Sequence, residues 1–153
     1  PLEKCMFGFI NFLFSMIAVA IMYIIFGYPV HWTILLFPIP VFYTLVFSIG
    51  LGMILSAMSV FFRDIVHLYS VLLTAWNYFT PIVYPYDILN DKIKAIMHLN
   101  PMFHYVKYFR DVLMYNTVPN LTVNLICAAI AFGTLFIGLL FFKRKQDKFI
   151  LYI

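Results

Sequence analysis

Four apolar runs, each close to the length of a membrane span, dominate this sequence. They cover residues 6–28, 33–62, 65–84 and 121–142, and a transmembrane helix needs about 20 apolar residues. Hydrophobic residues make up 65% of the chain and charged residues only 10%, whereas a soluble domain carries about 25% charged residues. The sequence therefore predicts an all-α integral membrane protein with about four transmembrane helices, in a single domain over residues 1–153.

The third run differs from the others because prolines interrupt its end. Pro81 and Pro85 each lack a backbone donor and break a helix, so only about 22 Å of helix fits between residue 66 and Pro81. This is short for a full crossing unless the helix continues through Pro81. A break inside a membrane is tolerated only where protein or water covers the backbone.

Small residues indicate where the spans pack. Ser48, Gly52 and Ser56 recur at every fourth position of the second run, and the last run contains Ala128, Ala129 and Gly133. Small side chains let membrane helices approach closely. We therefore expect helix contacts at the Ser48/Gly52/Ser56 stripe and at the small residues of the last run.

The longest polar stretch, residues 86–120, separates the last two runs. The helical spacing of its apolar residues predicts two short amphipathic helices, residues 88–100 and 102–115. Two arrangements fit this pattern. The helices dip into the protein as a re-entrant pair, or they lie flat on the membrane surface.

The basic residues favour one orientation. If four runs cross, both chain ends and the turn at Arg63–Asp64 share one side with six basic residues, and the stretch 86–120 on the other side carries four. Since cytoplasmic segments are enriched in Lys and Arg, both ends are predicted to be cytoplasmic and residues 86–120 external. The net charge of +4 thus belongs to the flanks of the spans and does not indicate a nucleic-acid partner.

The sequence contains no pattern typical of a catalytic or metal site. HExxH, GxSxG and P-loop motifs are absent, the six acidic residues are scattered and the four histidines stand singly. Aromatic residues, by contrast, crowd the break in the third run, where Trp76, Tyr78, Phe79 and Tyr84 lie close together. Most aromatic residues in such a chain face lipid or the core, but their rings can also stack on the C–H faces of sugars.

Several motifs together resemble the permease subunits of ABC-2-type exporters, specifically the branch that exports polysaccharides such as O-antigen, capsule and teichoic acid. They are Pro-Leu-Glu-Lys at residues 1–4, Ser-Val-Phe-Phe-Arg-Asp-Ile at 59–65, Phe-Thr-Pro-Ile-Val-Tyr-Pro at 79–85, and Asn100-Pro101 followed by Arg110. The chain is similar to the last four of six spans of such a permease, so the resemblance implies a transmembrane domain truncated at its N-terminus. The family often has Ser where this chain has Thr80, which keeps the hydroxyl.

The resemblance implies a transport subunit rather than an enzyme. We expect a permease in the bacterial cytoplasmic membrane that pairs with a second copy of itself and translocates a lipid-linked polysaccharide. A separate cytoplasmic ABC ATPase is expected to bind ATP and Mg, so that this chain holds no cofactor or metal. The alternatives are an ABC-2 permease for a small drug or antibiotic, a membrane-embedded glycan-modifying enzyme and a passive scaffold.

Two groups of residues are expected to carry the transport function. Arg63 and Asp64 are expected to face the ATPase, although a simple membrane-stop pair also explains them. The second group is the external gate and glycan path. In the re-entrant arrangement its aromatic rings meet sugar, and in the flat arrangement they meet lipid. Its members are Tyr78, Phe79, Pro81, Tyr84, Pro85, Asn100, Pro101, Phe103, Tyr105 and Arg110.

Overall fold

A computed structural model describes residues 2–27, 31–62, 64–82 and 90–149. Every regular element in this part of the chain is helical, which confirms the predicted all-α class. The elements are α1 (Leu2–Ile25), a 3-10 helix (Trp32–Leu36), α2 (Pro38–Phe61), α3 (Ile65–Phe79), α4 (Asp91–Met97), α5 (Pro101–Leu113) and α6 (Leu121–Phe149). Three predicted site residues, Arg63, Tyr84 and Pro85, lie outside the described residues.

Three helical segments of the described chain are long and apolar enough to cross a membrane. They are Glu3–Ile25, Trp32–Phe61 and Leu121–Lys145, which correspond to the first, second and last apolar runs. The third run forms α3, which has 15 residues and a length of about 22 Å. It ends at Phe79 because Thr80 is extended, with ψ of 126°, as expected for a residue that precedes a proline.

The most extensively packed helices are α2 and α6, and they run in the same direction. Near the start of both helices, the Tyr43 hydroxyl donates to Asn124 Oδ1 at 2.6 Å. Near their ends, Lys145 Nζ lies 5.1 Å from the ring centre of Phe61. Because the contacts advance along both helices in step, α2 and α6 are parallel.

The backbones of α2 and α6 touch at two glycines. A Cβ on Gly138 would lie 2.5 Å from the Gly50 carbonyl oxygen, and a Cβ on Gly50 would lie 2.6 Å from the Leu135 backbone nitrogen. The closest approach is therefore at Gly50, whereas Ser48 of the predicted stripe is contacted by α1 through Cys5. The expected contact at Gly133 is not found, because no neighbouring helix of the described part of the chain comes within 4 Å of the position of its Cβ.

Helix α3 runs back along this pair toward the end at which α2 and α6 begin. It starts directly after α2, where the Ile65 backbone N–H donates to the Phe62 carbonyl, and its last turn is hydrogen-bonded to Asn100, which precedes α5. Since α3 covers about 22 Å against about 36 Å for the 24-residue α2, it stops below the level at which α2 begins.

The glycine contact leads to a paired test in α6. We expect Gly138→Ala to lower the thermal stability of the purified protein in detergent, because the new methyl group overlaps the Gly50 backbone and overpacking costs about 1–3 kcal/mol. Gly133→Ala is the control in the same helix. It has room for the methyl group and should leave the melting temperature unchanged or raise it, since Ala favours a helix over Gly. Equal melting temperatures for the two variants would contradict the backbone contact.

Candidate functional site

The chain leaves its helix after α3 in a short segment, Thr80–Pro81–Ile82, that is partly enclosed by protein. Thr80 and Pro81 are buried. The Thr80 backbone N–H donates to the Trp76 carbonyl at 3.0 Å, and the Ile82 N–H donates to the Thr80 carbonyl at 2.7 Å. Pro81 has no N–H to satisfy. Each backbone donor of this break therefore has a partner, as a break at membrane depth requires.

Asn100 joins this break to α5. Trp76 Nε1 donates to Asn100 Oδ1 at 2.7 Å, and Asn100 Nδ2 donates to the Thr80 hydroxyl oxygen at 3.0 Å. The same Oδ1 accepts from the Met102 backbone N–H at 3.0 Å, so Asn100 is also the N-cap of α5. One buried amide thus links the last turn of α3 to the first turn of α5.

A second contact between the same two segments lies nearer the surface. The Arg110 guanidinium donates to the Ile82 carbonyl at 2.9 Å, in an exposed hydrogen bond. Pro101 is the first residue of α5, a position where the lack of an N–H costs nothing. The motif residues Asn100, Pro101 and Arg110 therefore lie at one site with the break around Pro81, which precedes them in the sequence.

The C-terminal end of α5 is held by side chains from the beginning of the chain. The Thr33 hydroxyl lies 3.1 Å from the Val112 carbonyl oxygen and 2.8 Å from Asn116 Oδ1. The Tyr23 hydroxyl donates to the Leu113 carbonyl. The last carbonyls of a helix have no intrahelical partner, so α1 and the 3-10 helix satisfy this end of α5.

The middle of α5 packs against the sides of α2 and α6. The Tyr105 ring lies 5.6 Å from the Phe47 ring, and its hydroxyl donates to the Cys127 carbonyl at 3.2 Å. Phe47 stands about 14 Å along α2, and Cys127 about 9 Å along α6, at about 1.5 Å per residue. A helix lying flat on the membrane surface would touch only the ends of the spans. The contacts of α5 therefore fit the re-entrant arrangement.

The sequence of this chain is similar to a known protein family. A family model described as "ABC-2 type transporter" matches residues 5–114, which is more than half of the chain. The chain belongs to the ABC-2 type transporter family.

The similar family members with curated names are O-antigen export proteins. An "O-antigen export system permease protein RfbA" from Myxococcus xanthus is 28% identical over 141 residues, covering 91% of this chain and 54% of the relative. Two proteins of the same name from Klebsiella pneumoniae are 29% identical over 104 residues (68% of this chain, 40% of the relative) and 26% identical over 122 residues (77% and 46%). The chain spans about half the length of these curated relatives.

The structure divides the predicted aromatic path residues of this ABC-2 chain into two groups. Phe103 and Tyr105 are 4% and 1% exposed and belong to the core. Tyr78 and Phe79 are 77% and 42% exposed and lie on the surface of α3. Only Tyr78 and Phe79 are therefore accessible from outside the protein in this conformation, whereas Phe103 and Tyr105 are part of its packed interior.

At the other end of α3, Asp64 is exposed and immediately precedes the helix. Three residues of the site, Trp76, Tyr23 and Thr33, are not predicted from the sequence. The signal for Trp76 is its position one turn before Thr80–Pro81, where a ring N–H can reach the break. Nothing in the local sequence connects Tyr23 and Thr33 with the end of α5, because these contacts join residues far apart in the chain.

The burial of Tyr105 generates a stability prediction. We expect Tyr105→Ala to lower the melting temperature of the detergent-purified protein strongly, because removing a large buried ring costs about 3–5 kcal/mol. Tyr105→Phe removes only one hydrogen bond and should cost about 1 kcal/mol. Tyr115→Ala, at a ring that is 64% exposed, is the control and should have little effect. A normal melting temperature for Tyr105→Ala would show that this ring is not part of the core.

Proposed function

We propose that this protein is a permease subunit that exports a lipid-linked polysaccharide across the bacterial cytoplasmic membrane. The observation that carries the proposal is the similarity to the O-antigen export permease of Myxococcus xanthus over 91% of this chain. Membership of the ABC-2 family supports a role in transport rather than catalysis. The buried hydrogen-bond network at the break and the exposed rings beside it supply features that such a permease needs near its exit.

The proposed topology has four crossings. Parallel spans begin on the same side of the membrane, so the chain that connects the end of α2 to the start of α6 must cross once more. Helix α3 is the apolar element of that connection and runs back along the bundle. With the basic residues placed inside, both ends of this chain are cytoplasmic, and α4 and α5 lie toward the external side.

The proposed partner on the inside is a separate ABC ATPase that binds ATP and Mg. Asp64 and Lys145 support this assignment, because the turn before α3 and the basic end of α6 share one end of the bundle: Lys145 lies over Phe61, at the end of α2. Arg63 and Asp64 would then face the ATPase. The end with the break lies opposite.

The proposed substrate path follows the exposed face of α3. Four polar side chains, His67, Ser70, Thr74 and Asn77, recur at i, i+3, i+7 and i+10 and thus share one face of the helix, and all four are exposed. Polar groups within a span face protein or a water-filled cavity rather than lipid. A second copy of the permease would enclose this stripe and form the channel.

Hydroxyl, amide and aromatic groups suit a glycan that has to slide. The Ser70 and Thr74 hydroxyls donate to carbonyls of their own helix, at 2.7 and 3.0 Å, which leaves their oxygens able to accept hydrogen bonds from sugar hydroxyls. The polar stripe leads toward Tyr78 and Phe79, whose rings can stack on sugar faces. Each contact is weak, so the polymer can bind along the path and still move through it.

The proposed path predicts a selective effect on export. In the full-length permease expressed with its ATPase, Tyr78→Ala and Phe79→Ala should each slow glycan export partially, since an aromatic contact contributes about 1 kcal/mol, and the double variant should be slower still. Protein levels should stay normal because both rings are on the surface. Phe136→Ala, at another exposed aromatic residue in α6, is the control and should export at the unsubstituted rate.

Two results would count against these assignments, and they can be told apart. If the double variant exports at the unsubstituted rate, the rings of Tyr78 and Phe79 do not contact the polymer. If the unsubstituted protein and its ATPase export a small compound but no glycan, the substrate class is wrong and the drug-export alternative takes its place.

A further inference from the structure

We propose that Asn100 is a positioning residue that makes the last turn of α3, the break at Thr80–Ile82 and helix α5 move as one unit during transport. This inference rests on the proposed export function, because a coupled movement has a purpose only in a transporter. It concerns a residue that contacts other parts of the protein rather than the glycan.

The first argument is that one buried amide bonds to all three segments. Its oxygen accepts from Trp76 on α3 and from the Met102 backbone on α5, and its nitrogen donates to Thr80 in the break. Because Asn100 and Thr80 are only 5% and 3% exposed, water cannot readily replace these partners. Separating the two segments would leave buried polar groups without partners, which is costly.

The second argument is that α5 is also anchored at its other end. Its final carbonyls accept from Tyr23 on α1 and from Thr33 of the 3-10 helix. The helix therefore connects the end of α3 to the beginning of the chain. A displacement of α3 is therefore transmitted to α1 through α5, provided that the hydrogen bonds of Asn100 remain intact.

The hydrogen bond of Arg110 is exposed, whereas Asn100 is buried, and this difference supports the role given to Asn100. Water can take the place of either partner in the bond between Arg110 and the Ile82 carbonyl when the segment moves. The buried Asn100 network lacks this freedom. We therefore assign the permanent connection to Asn100 and a releasable contact to Arg110.

The test compares variants of Thr80, the acceptor in the network, in the full-length permease with its ATPase in membrane vesicles. Thr80→Val keeps the shape of the side chain but removes the hydroxyl, which accepts from Asn100 and also donates to the Trp76 carbonyl of its own helix. Loss of the Asn100 bond should lower glycan export per ATP hydrolysed by about two- to tenfold, the change that one hydrogen bond makes in an equilibrium constant. Thr80→Ser keeps the hydroxyl and should restore normal export. Thr134→Val, at a half-buried threonine of α6 whose hydroxyl donates to the Ile130 carbonyl of its own helix at 2.7 Å, is the control for the substitution itself and should export normally.

A double substitution tests whether Asn100 and Thr80 act through the hydrogen bond between them. If Asn100 and Thr80 act through each other, Thr80→Val combined with Asn100→Ala should export no more slowly than Asn100→Ala alone. The proposal would be overturned if the export losses of the two single variants multiplied in the double variant. Normal glycan export per ATP in Thr80→Val would also overturn it. A purely structural role would lower the protein level, ATP hydrolysis and export in proportion, leaving their ratio unchanged, and would also overturn it. Absence of glycan export from the unsubstituted protein would instead refute the proposed function.

Discussion

The backbone contact between α2 and α6 at Gly50 and Gly138 determines much of the rest of this structure. Two helices of this length can approach so closely only where neither backbone carries a side chain at the crossing. The contact holds the two parallel helices together, and the pair then forms the surface on which Tyr105 and the rest of α5 pack. A parallel pair also requires a return crossing, and α3 is the element that can supply it.

The candidate site arises because the helix that supplies this return crossing, α3, is short. Since α3 stops below the level at which α2 begins, its end is a backbone break within the protein. Trp76, Thr80 and Asn100 satisfy the polar groups there with side chains, and the inserted helix α5 covers them. The same features that make the break tolerable in a membrane also connect the elements that a transporter has to move.

The comparison with the sequence shows which features are local and which depend on the fold. Apolar length and proline positions were sufficient to predict the long helices and the break before Pro81, and the helical spacing of apolar residues predicted the amphipathic segment of α5. The sequence did not show which small residues make helix contacts: Gly50 does, and Gly133 does not, because this depends on how the helices cross. The aromatic residues divide in the same way, since Tyr105 and Tyr78 look alike in the sequence but only Tyr105 has α2 and α6 packed over it.

Labelling both flanks of α3 shows whether this helix crosses the membrane. Single cysteines at Asp64 and Asn90, both exposed positions, would be placed in a cysteine-free full-length protein and treated with an impermeant thiol reagent in intact spheroplasts. If α3 crosses, the cysteine at Asn90 should react at once and the cysteine at Asp64 only after permeabilisation. Reaction of both positions under the same condition would contradict a crossing by α3, and reaction of Asp64 alone would contradict the orientation.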